Sequence, residues 1–204
     1  MAFPDWFSDI PSITLYDPLA EVLGTASDGL IEYRFADAVR LTGHACPTVA
    51  GAWLTGVHGL RALYGTATPV RGDLDVCLGE AEDAGVAGVV AAVLGLLTGA
   101  AGAGGFKGLG GQFRRNQRLH FGEPGVSYVR LRRRDTGAAV DCRLDLSPVP
   151  GDPRSGPLLG AILAGEATAE ERRLFGTLWQ QRVRRILLDT APESLVDIRP
   201  ASPA

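Results

Sequence analysis

The sequence has few cysteines, and they lie far apart. Cys46, Cys77 and Cys142 are the three cysteines among 204 residues. They are too few and too scattered for the disulfide framework that stabilises small secreted domains. We therefore expect reduced thiols and a cytoplasmic protein. The first six residues include Asp5 and no basic residue, which is unlike the basic region that begins a secretory signal.

The sequence also lacks an excess of charge of either sign. The formal net charge is −3, with 21% charged and 46% hydrophobic residues, which is typical of a soluble globular protein. This balance excludes a strongly basic surface, so we expect neither nucleic acid nor a membrane as a partner. The one basic run, residues 132–134, flanks a predicted turn and is interpreted as the solvated end of a hairpin.

Long hydrophobic runs are almost absent. The exception is residues 84–106, a run of 23 uncharged residues that is long enough to span a bilayer. Seven of them are glycines, and the second half of the run is too rich in glycine to hold a helix. The run therefore predicts a buried core helix over residues 84–98, followed by a glycine-rich loop.

What the chain does contain is a mixture of helical and strand patterns. Helix signals include Asp17 before Pro18, and the capping box that Thr168 and Glu171 form before a long apolar stripe. Alternating residues predict a strand over 70–78 and a hairpin of 126–134 with 138–146. The sequence shows no repeated pattern of strand, helix and strand, which would indicate a parallel sheet. We therefore predict an α+β fold, an antiparallel sheet with helices packed on one face.

The domain organisation follows from a proline-rich stretch. Residues 148–157 contain four prolines, which indicates a linker. We predict one α+β domain over residues 1–147. Residues 148–204 would form the linker and a helical extension packed on the same domain, with an edge strand in the tail. Residues 1–16 are expected to be irregular.

A short motif, Gly43-His44-Ala45-Cys46-Pro47, carries most of the chemistry. Proline is favoured at the first position of a helix, so Cys46 is the expected N-cap of a helix that ends at Gly65. The positive end of the helix dipole would favour the thiolate, which is both a metal ligand and a nucleophile. His44 and Cys46 could hold one zinc ion and leave its other positions open. The alternative is a histidine that caps a turn beside a packed thiol.

Further metal ligands cannot be derived from the sequence alone. Glu80, Glu82 and Asp83 form an acidic bend before the core helix, where such residues are usually caps. Cys77 lies on the preceding strand and is the other candidate. His58 lies off the apolar stripe of its helix and is interpreted as a surface or edge histidine.

The glycine-rich loop, residues 102–111, contains the only lysine of the chain, Lys107. The loop follows a helix and lacks GxxxxGK[ST], so it is neither a Walker A loop nor a dinucleotide-binding turn. Its backbone N–H groups and Lys107 could bind an anionic substrate or cofactor, and tight backbone packing is the alternative. Arg71, Arg114 and Arg115 are expected to be solvated charges rather than substrate clamps.

The motif and the small-residue helix after it resemble the FmdE family, which is named for one component of formylmethanofuran dehydrogenase. A looser similarity extends over residues 28–146 through Val70-Arg71-Gly72, Leu97-Thr98-Gly99, the glycine-rich stretch and the hairpin. The resemblance implies an α+β fold, often a homodimer, with a metal, commonly zinc, at His44 and Cys46. Family members usually carry further cysteines on and after the second helix, and longer members end in a zinc ribbon. This chain has no cysteine at those positions or after Cys142.

Three functional hypotheses follow. The first is a metal-binding FmdE-like protein whose open site acts on or binds a small molecule. The second is a non-enzymatic carrier of a metal or cofactor, or an accessory subunit. The third is a thiol redox protein that uses Cys46, with Cys77 as the nearest candidate for a resolving cysteine.

Overall fold

Capping residues place several helix ends where the sequence predicts them. The computed structural model describes residues 3–201, in which Asp17, Cys46 and Thr168 each accept a backbone N–H bond at a helix N-terminus. The last helix is extended by a π-helical turn, Arg185–Asp189. The helices are α1 (Pro18–Val22), α2 (Phe35–Thr42), α3 (Pro47–Tyr64), α4 (Ala87–Thr98), α5 (Ser155–Leu163) and α6 (Ala169–Arg184).

Seven strands form two sheets, and the α+β prediction is confirmed. A small antiparallel sheet pairs β1 with β2, and a five-stranded sheet has the order β4-β3-β5-β6-β7. The strands are β1 (Ile13–Tyr16), β2 (Leu30–Tyr33), β3 (Leu74–Leu78), β4 (Leu119–His120), β5 (Val129–Arg133), β6 (Ala139–Leu144) and β7 (Val196–Pro200).

The register of the larger sheet follows the polar and apolar alternation of its strands. The predicted hairpin is β5 paired with β6, joined by Asp135-Thr136-Gly137. The predicted edge strand of the tail is β7, which pairs with β6; residues 202–204 of the predicted segment lie outside the described residues. One pairing differs from the prediction of an antiparallel sheet. The short strand β4 runs parallel to β3, because α4 and the glycine-rich loop together form the crossover connection that a parallel pair requires.

Two further predictions are wrong. Residues 1–16 are not irregular throughout, since they include a 3-10 turn, Asp5–Asp9, and strand β1, whose pairing with β2 is a long-range contact that local sequence does not signal. The acidic bend does not cap α4 either. Within residues 3–201, α4 has no side-chain cap, and its bend residues Glu80, Glu82 and Asp83 are exposed.

Helix α3 lies at the centre of the core and packs through glycines. A Cβ at Gly56 would lie 2.6 Å from Leu97 of α4, and one at Gly59 would lie 2.6 Å from Leu131 of β5 and 3.1 Å from the Cys142 sulfur of β6. Such distances are closer than packed atoms allow, so α3 approaches both α4 and the sheet because these side chains are absent. Cys142 is a buried thiol of this core.

The apolar run of residues 84–106 forms α4 and part of the following loop. Helix α4 has twelve residues, and most of its apolar side chains are buried against α3 and the sheet. None of the helices within residues 3–201 combines the length and the apolar character needed to cross a bilayer.

The glycine packing of α3 makes a testable prediction. Replacing Gly59 by valine should lower the free energy of unfolding by about 1–3 kcal/mol, because the added methyl groups overfill the space against Leu131 and Cys142. The matched control is Gly176→Val in α6, where a Cβ meets nothing within 4 Å. Valine is a slightly better helix former than glycine, so the control should be neutral or mildly stabilising. Equal midpoints of urea unfolding for both variants would contradict the packing account.

Candidate functional site

The His-x-Cys motif lies in the short connection between α2 and α3. Cys46 is the N-cap of α3, as predicted, and its sulfur accepts a hydrogen bond from the Val49 backbone N–H at 3.4 Å. His44 is exposed, and its Nδ1 lies 2.9 Å from the Thr42 carbonyl oxygen. Such a bond to one ring nitrogen orients an imidazole, and leaves the other nitrogen as the one that can bind a ligand.

The C-terminal helix α6 holds this motif in place. Between His44 and Cys46, the carbonyl oxygen of Ala45 accepts one hydrogen bond from Trp179 Nε1 at 3.2 Å and another from Gln180 Nε2 at 3.1 Å. The sequence predicts an apolar stripe on that helix but carries no signal for this contact. The conformation of the motif therefore depends on a segment more than 130 residues further along the chain.

The other suggested metal ligands do not join the motif. Cys77 pairs across strands with Arg130, on the face of the sheet opposite to Leu131, the residue against which α3 packs. Glu80, Glu82 and Asp83 are exposed in the bend between β3 and α4. Among the residues that the structure describes, no three histidine, cysteine, aspartate or glutamate side chains are grouped so that they could hold a metal ion. A metal on His44 and Cys46 would need water or another molecule to complete its coordination.

The remaining two thiols are poor nucleophiles. Burial, with smaller contributions from Glu123 and Asp75, raises the pKa of Cys77 to about 11. Burial in the core raises the pKa of Cys142 to about 12. Because the thiolate is the reactive form, both are largely protonated near neutral pH. Cys77 is also separated from Cys46 by the sheet, so it does not lie where a resolving cysteine for Cys46 would have to be.

A second cluster of polar residues lies where β1 ends and α1 begins. The carboxylate of Asp17 is buried, and its Oδ1 caps α1 by accepting the N–H bonds of Leu19 and Ala20. The same oxygen accepts a bond from Arg115 Nη2 at 2.6 Å, and Oδ2 accepts one from Arg71 Nη1 at 2.8 Å. One carboxylate therefore joins three segments that are far apart in the sequence.

The electrostatics of this cluster favour its charged form. Burial by itself raises the pKa of Asp17, but the hydrogen bond from Arg71 and the charges of Arg115 and Arg71 outweigh burial. The pKa of Asp17 is thus held below its ordinary value. Burial lowers the pKa of Arg115, and the charge of Asp17 opposes that shift; a guanidinium remains protonated in any case.

An open pocket of about 300 Å³ lies beside this cluster. Four arginines line it, together with one acidic residue, Asp73. Apolar side chains make up much of the remaining wall. The lining consists of Pro18, Val70, Arg71, Gly72, Asp73, Gly111, Phe113, Arg114, Arg115 and Arg118.

Arg115 is the most deeply buried of the four arginines. Only 7% of the residue is exposed, and its Nη1 has no hydrogen-bond partner among residues 3–201. A Cβ at Gly99 would lie 2.7 Å from that nitrogen, and one at Gly72 would overlap the guanidinium. The guanidinium therefore fits between two glycines, both with positive φ. The Nε of Arg118 is likewise buried and has no partner in the described part of the chain.

The end of the glycine-rich loop brings two of these arginines to the pocket. The backbone N–H of Arg115 bonds the Phe106 carbonyl at 2.8 Å, and its carbonyl accepts the N–H of Ala101 at 2.9 Å. Phe113 has φ of 58°, a conformation that is uncommon outside glycine. Lys107 is exposed on the same loop, and its assignment as a ligand-binding residue stays a prediction.

The expectation that Arg71, Arg114 and Arg115 are solvated charges is therefore only partly right. Arg114 is exposed, but Arg115 is buried and Arg71 is half-buried in the ion pair with Asp17. The sequence interpretation failed because Asp17 was assigned only the role of a helix cap. A cap followed by proline gave no indication that the same carboxylate pairs with arginines 54 and 98 residues away.

Comparison with known proteins adds no assignment. No protein-family model matches the chain, and no curated protein is significantly similar to it. The chemistry of the two sites is therefore argued from their own residues.

The buried ion pairs predict a large cost for removing the charge of Asp17. Asparagine caps helices about as well as aspartate, so Asp17→Asn keeps the cap and leaves two arginines without their counter-ion. We expect the free energy of unfolding at pH 7 to fall by about 3–5 kcal/mol, measured by urea denaturation. The control is Asp197→Asn, which removes an exposed carboxylate paired with exposed Arg199 and should have little effect.

The contribution of the Asp17 ion pairs to the free energy of unfolding should decrease at low pH. Because folding lowers the pKa of Asp17, its contribution is complete above its unfolded pKa of about 3.9 and is lost as the pH falls through the folded value. The difference between the wild type and Asp17→Asn should therefore shrink below about pH 4. A difference that stays constant between pH 7 and pH 3 would contradict the ion-pair account.

Proposed function

We propose that this protein binds a small anionic molecule in the pocket lined by Arg71, Arg114, Arg115 and Arg118. The observation that carries the proposal is the convergence of four arginines on one pocket that a single carboxylate, that of Asp73, also lines. Positive charges held this close together repel one another. An anion bound among them would compensate for that repulsion and accept hydrogen bonds from their guanidinium groups.

The chemistry of the lining supports this function. Guanidinium groups donate parallel N–H bonds that match carboxylate and phosphate oxygens, and these charge-assisted bonds are about twice as strong as neutral ones. The pair with Asp17 accounts for one bond each of Arg71 and Arg115. It does not account for Arg114 or Arg118, which line the same pocket.

The size of the pocket limits the ligand. A volume of about 300 Å³ is at the lower end of the range of small-molecule sites. It fits a small metabolite rather than a dinucleotide or an extended polymer. The proposed function is therefore the binding of a small anion.

Isothermal titration calorimetry at low ionic strength would test the proposal, with phosphate, sulfate and benzoate as probes. We expect saturable binding of at least one probe, weakened roughly 10- to 100-fold by Arg118→Gln, because a hydrogen bond to a charged group contributes about 1.5–3 kcal/mol. Arg132→Gln is the control, since Arg132 is exposed on β5 and does not line the pocket. If no probe binds, or if the control weakens binding equally, the proposal is wrong.

The His-x-Cys motif supports a second candidate function, a zinc or other divalent metal site of the FmdE type. The specific observation is the bond between His44 Nδ1 and Thr42, which orients the ring as in metal-binding histidines. Together with the sulfur of Cys46 it would supply two ligands and leave open positions for water or a small molecule. A carrier role and a redox role of Cys46 remain alternatives for the same residues.

Elemental analysis of the untagged protein would test the metal site. We expect about one equivalent of metal in the wild type, lost in both His44→Ala and Cys46→Ala, since two protein ligands are too few for either to be dispensable. The controls are His58→Ala and Cys77→Ala, which change the same residue types outside the motif. A wild-type protein that contains no metal even after reconstitution with zinc would rule out this candidate.

A further inference from the structure

The charges around the arginine pocket define the ligand more narrowly, if the proposed function holds. From their arrangement we infer that the pocket takes the dianionic phosphoryl group of a small phosphate monoester. The inference rests on the balance of charge at the pocket, on the apolar part of its wall, and on the position of Asp73.

The pocket and its immediate ion-pair partners carry two positive charges in excess. The four lining arginines are joined by Arg134, which shares Asp75 with Arg118 at N–O distances of 3.0 and 3.7 Å. Against these five arginines stand three carboxylates, those of Asp17, Asp73 and Asp75. The adjacent pair of Arg133 and Asp135 is neutral as a unit. The excess is local, because the whole chain carries a net charge of −3.

A dianion matches this excess better than a monoanion. Near a protein surface the effective dielectric is below that of water, so each unmatched charge affects the binding free energy. A carboxylate or a phosphodiester would neutralise one of the two excess charges. A phosphate monoester carries nearly two charges at neutral pH, since its second pKa is about 6, and it offers three acceptor oxygens to the guanidinium groups.

The apolar part of the lining favours an ester over free phosphate. Pro18, Val70 and Phe113 line the same pocket as the arginines. Phe113 holds an uncommon backbone conformation, and such positions persist where the surrounding structure determines them. These side chains offer contact area to a carbon group, which inorganic phosphate does not have.

Asp73 limits the excess charge to two. It lines the pocket, and its carboxylate makes no direct hydrogen bond or ion pair within the described residues, although the charges of Arg134, Arg118 and Arg133 act on it. Burial, with the charge of Asp135, raises the pKa of Asp73 against the opposing arginines. A carboxylate in an anion site lowers affinity, and here it sets the charge that the ligand must bring.

The test compares two probes of nearly equal shape. Phenyl phosphate is a dianion at pH 7.5, and phenyl sulfate is a monoanion. Calorimetry on the full chain should show phenyl phosphate binding at least about tenfold more tightly. Asp73→Asn should strengthen phenyl phosphate binding several-fold, whereas the control Asp197→Asn, far along the sheet on β7, should leave it unchanged. Thermal unfolding of each variant would confirm that it is folded.

The outcomes separate the inference from the function on which it rests. Equal affinity for phenyl phosphate and phenyl sulfate would overturn the dianion inference and leave the anion-binding function intact. If inorganic phosphate binds as tightly as phenyl phosphate, the inference that the ligand is an ester is wrong, because the apolar residues of the pocket would then contribute nothing to the affinity. If phosphate, sulfate, benzoate and both phenyl probes all fail to bind, the proposed function itself is wrong.

Discussion

The buried carboxylate of Asp17 is the interaction on which the candidate site depends. It caps α1, and it pairs with Arg71 from the segment before β3 and with Arg115 from the loop before β4. A buried charge is tolerated only when partners compensate for its lost hydration. Because these partners come from three separate segments, their positions are mutually determined. Arg71 and Arg115, the two partners of Asp17, also line the arginine pocket.

The packing of this cluster requires glycine at two neighbouring positions. Gly72 and Gly99 leave room for the guanidinium of Arg115, and any side chain at either position would displace it. The glycine-rich loop of residues 102–111 has a different role. It connects the end of α4 to the segment that contains Arg114 and Arg115. The sequence predicts either an anion-binding loop that uses Lys107 or a tightly packed loop, and the structure shows that Arg114 and Arg115, which follow the loop, line the pocket.

The two candidate sites differ in how they are built. The His-x-Cys motif is local, because Cys46 at the N-cap and Pro47 at the first helical position are signals for the start of a helix that lie next to each other in the sequence. Its contact with α6 through the Ala45 carbonyl adds a long-range support. The arginine pocket has no local motif at all. It exists because β1 bridges Val70 through Tyr16, which brings the start of α1 against the segment that contains Arg71.

The sequence by itself determined the elements whose signals are local. Proline and capping residues located α1, α3 and α6, alternation located β3 and the hairpin of β5 and β6, and helical spacing identified the core stripe of α3. It also indicated the fold class. Tertiary structure alone decided the pairing of β1 with β2, the parallel alignment of β4, and the burial of Arg115. These features depend on contacts between residues tens of positions apart. The sequence does not show whether a charged side chain is hydrated at the surface or paired with a residue of another segment.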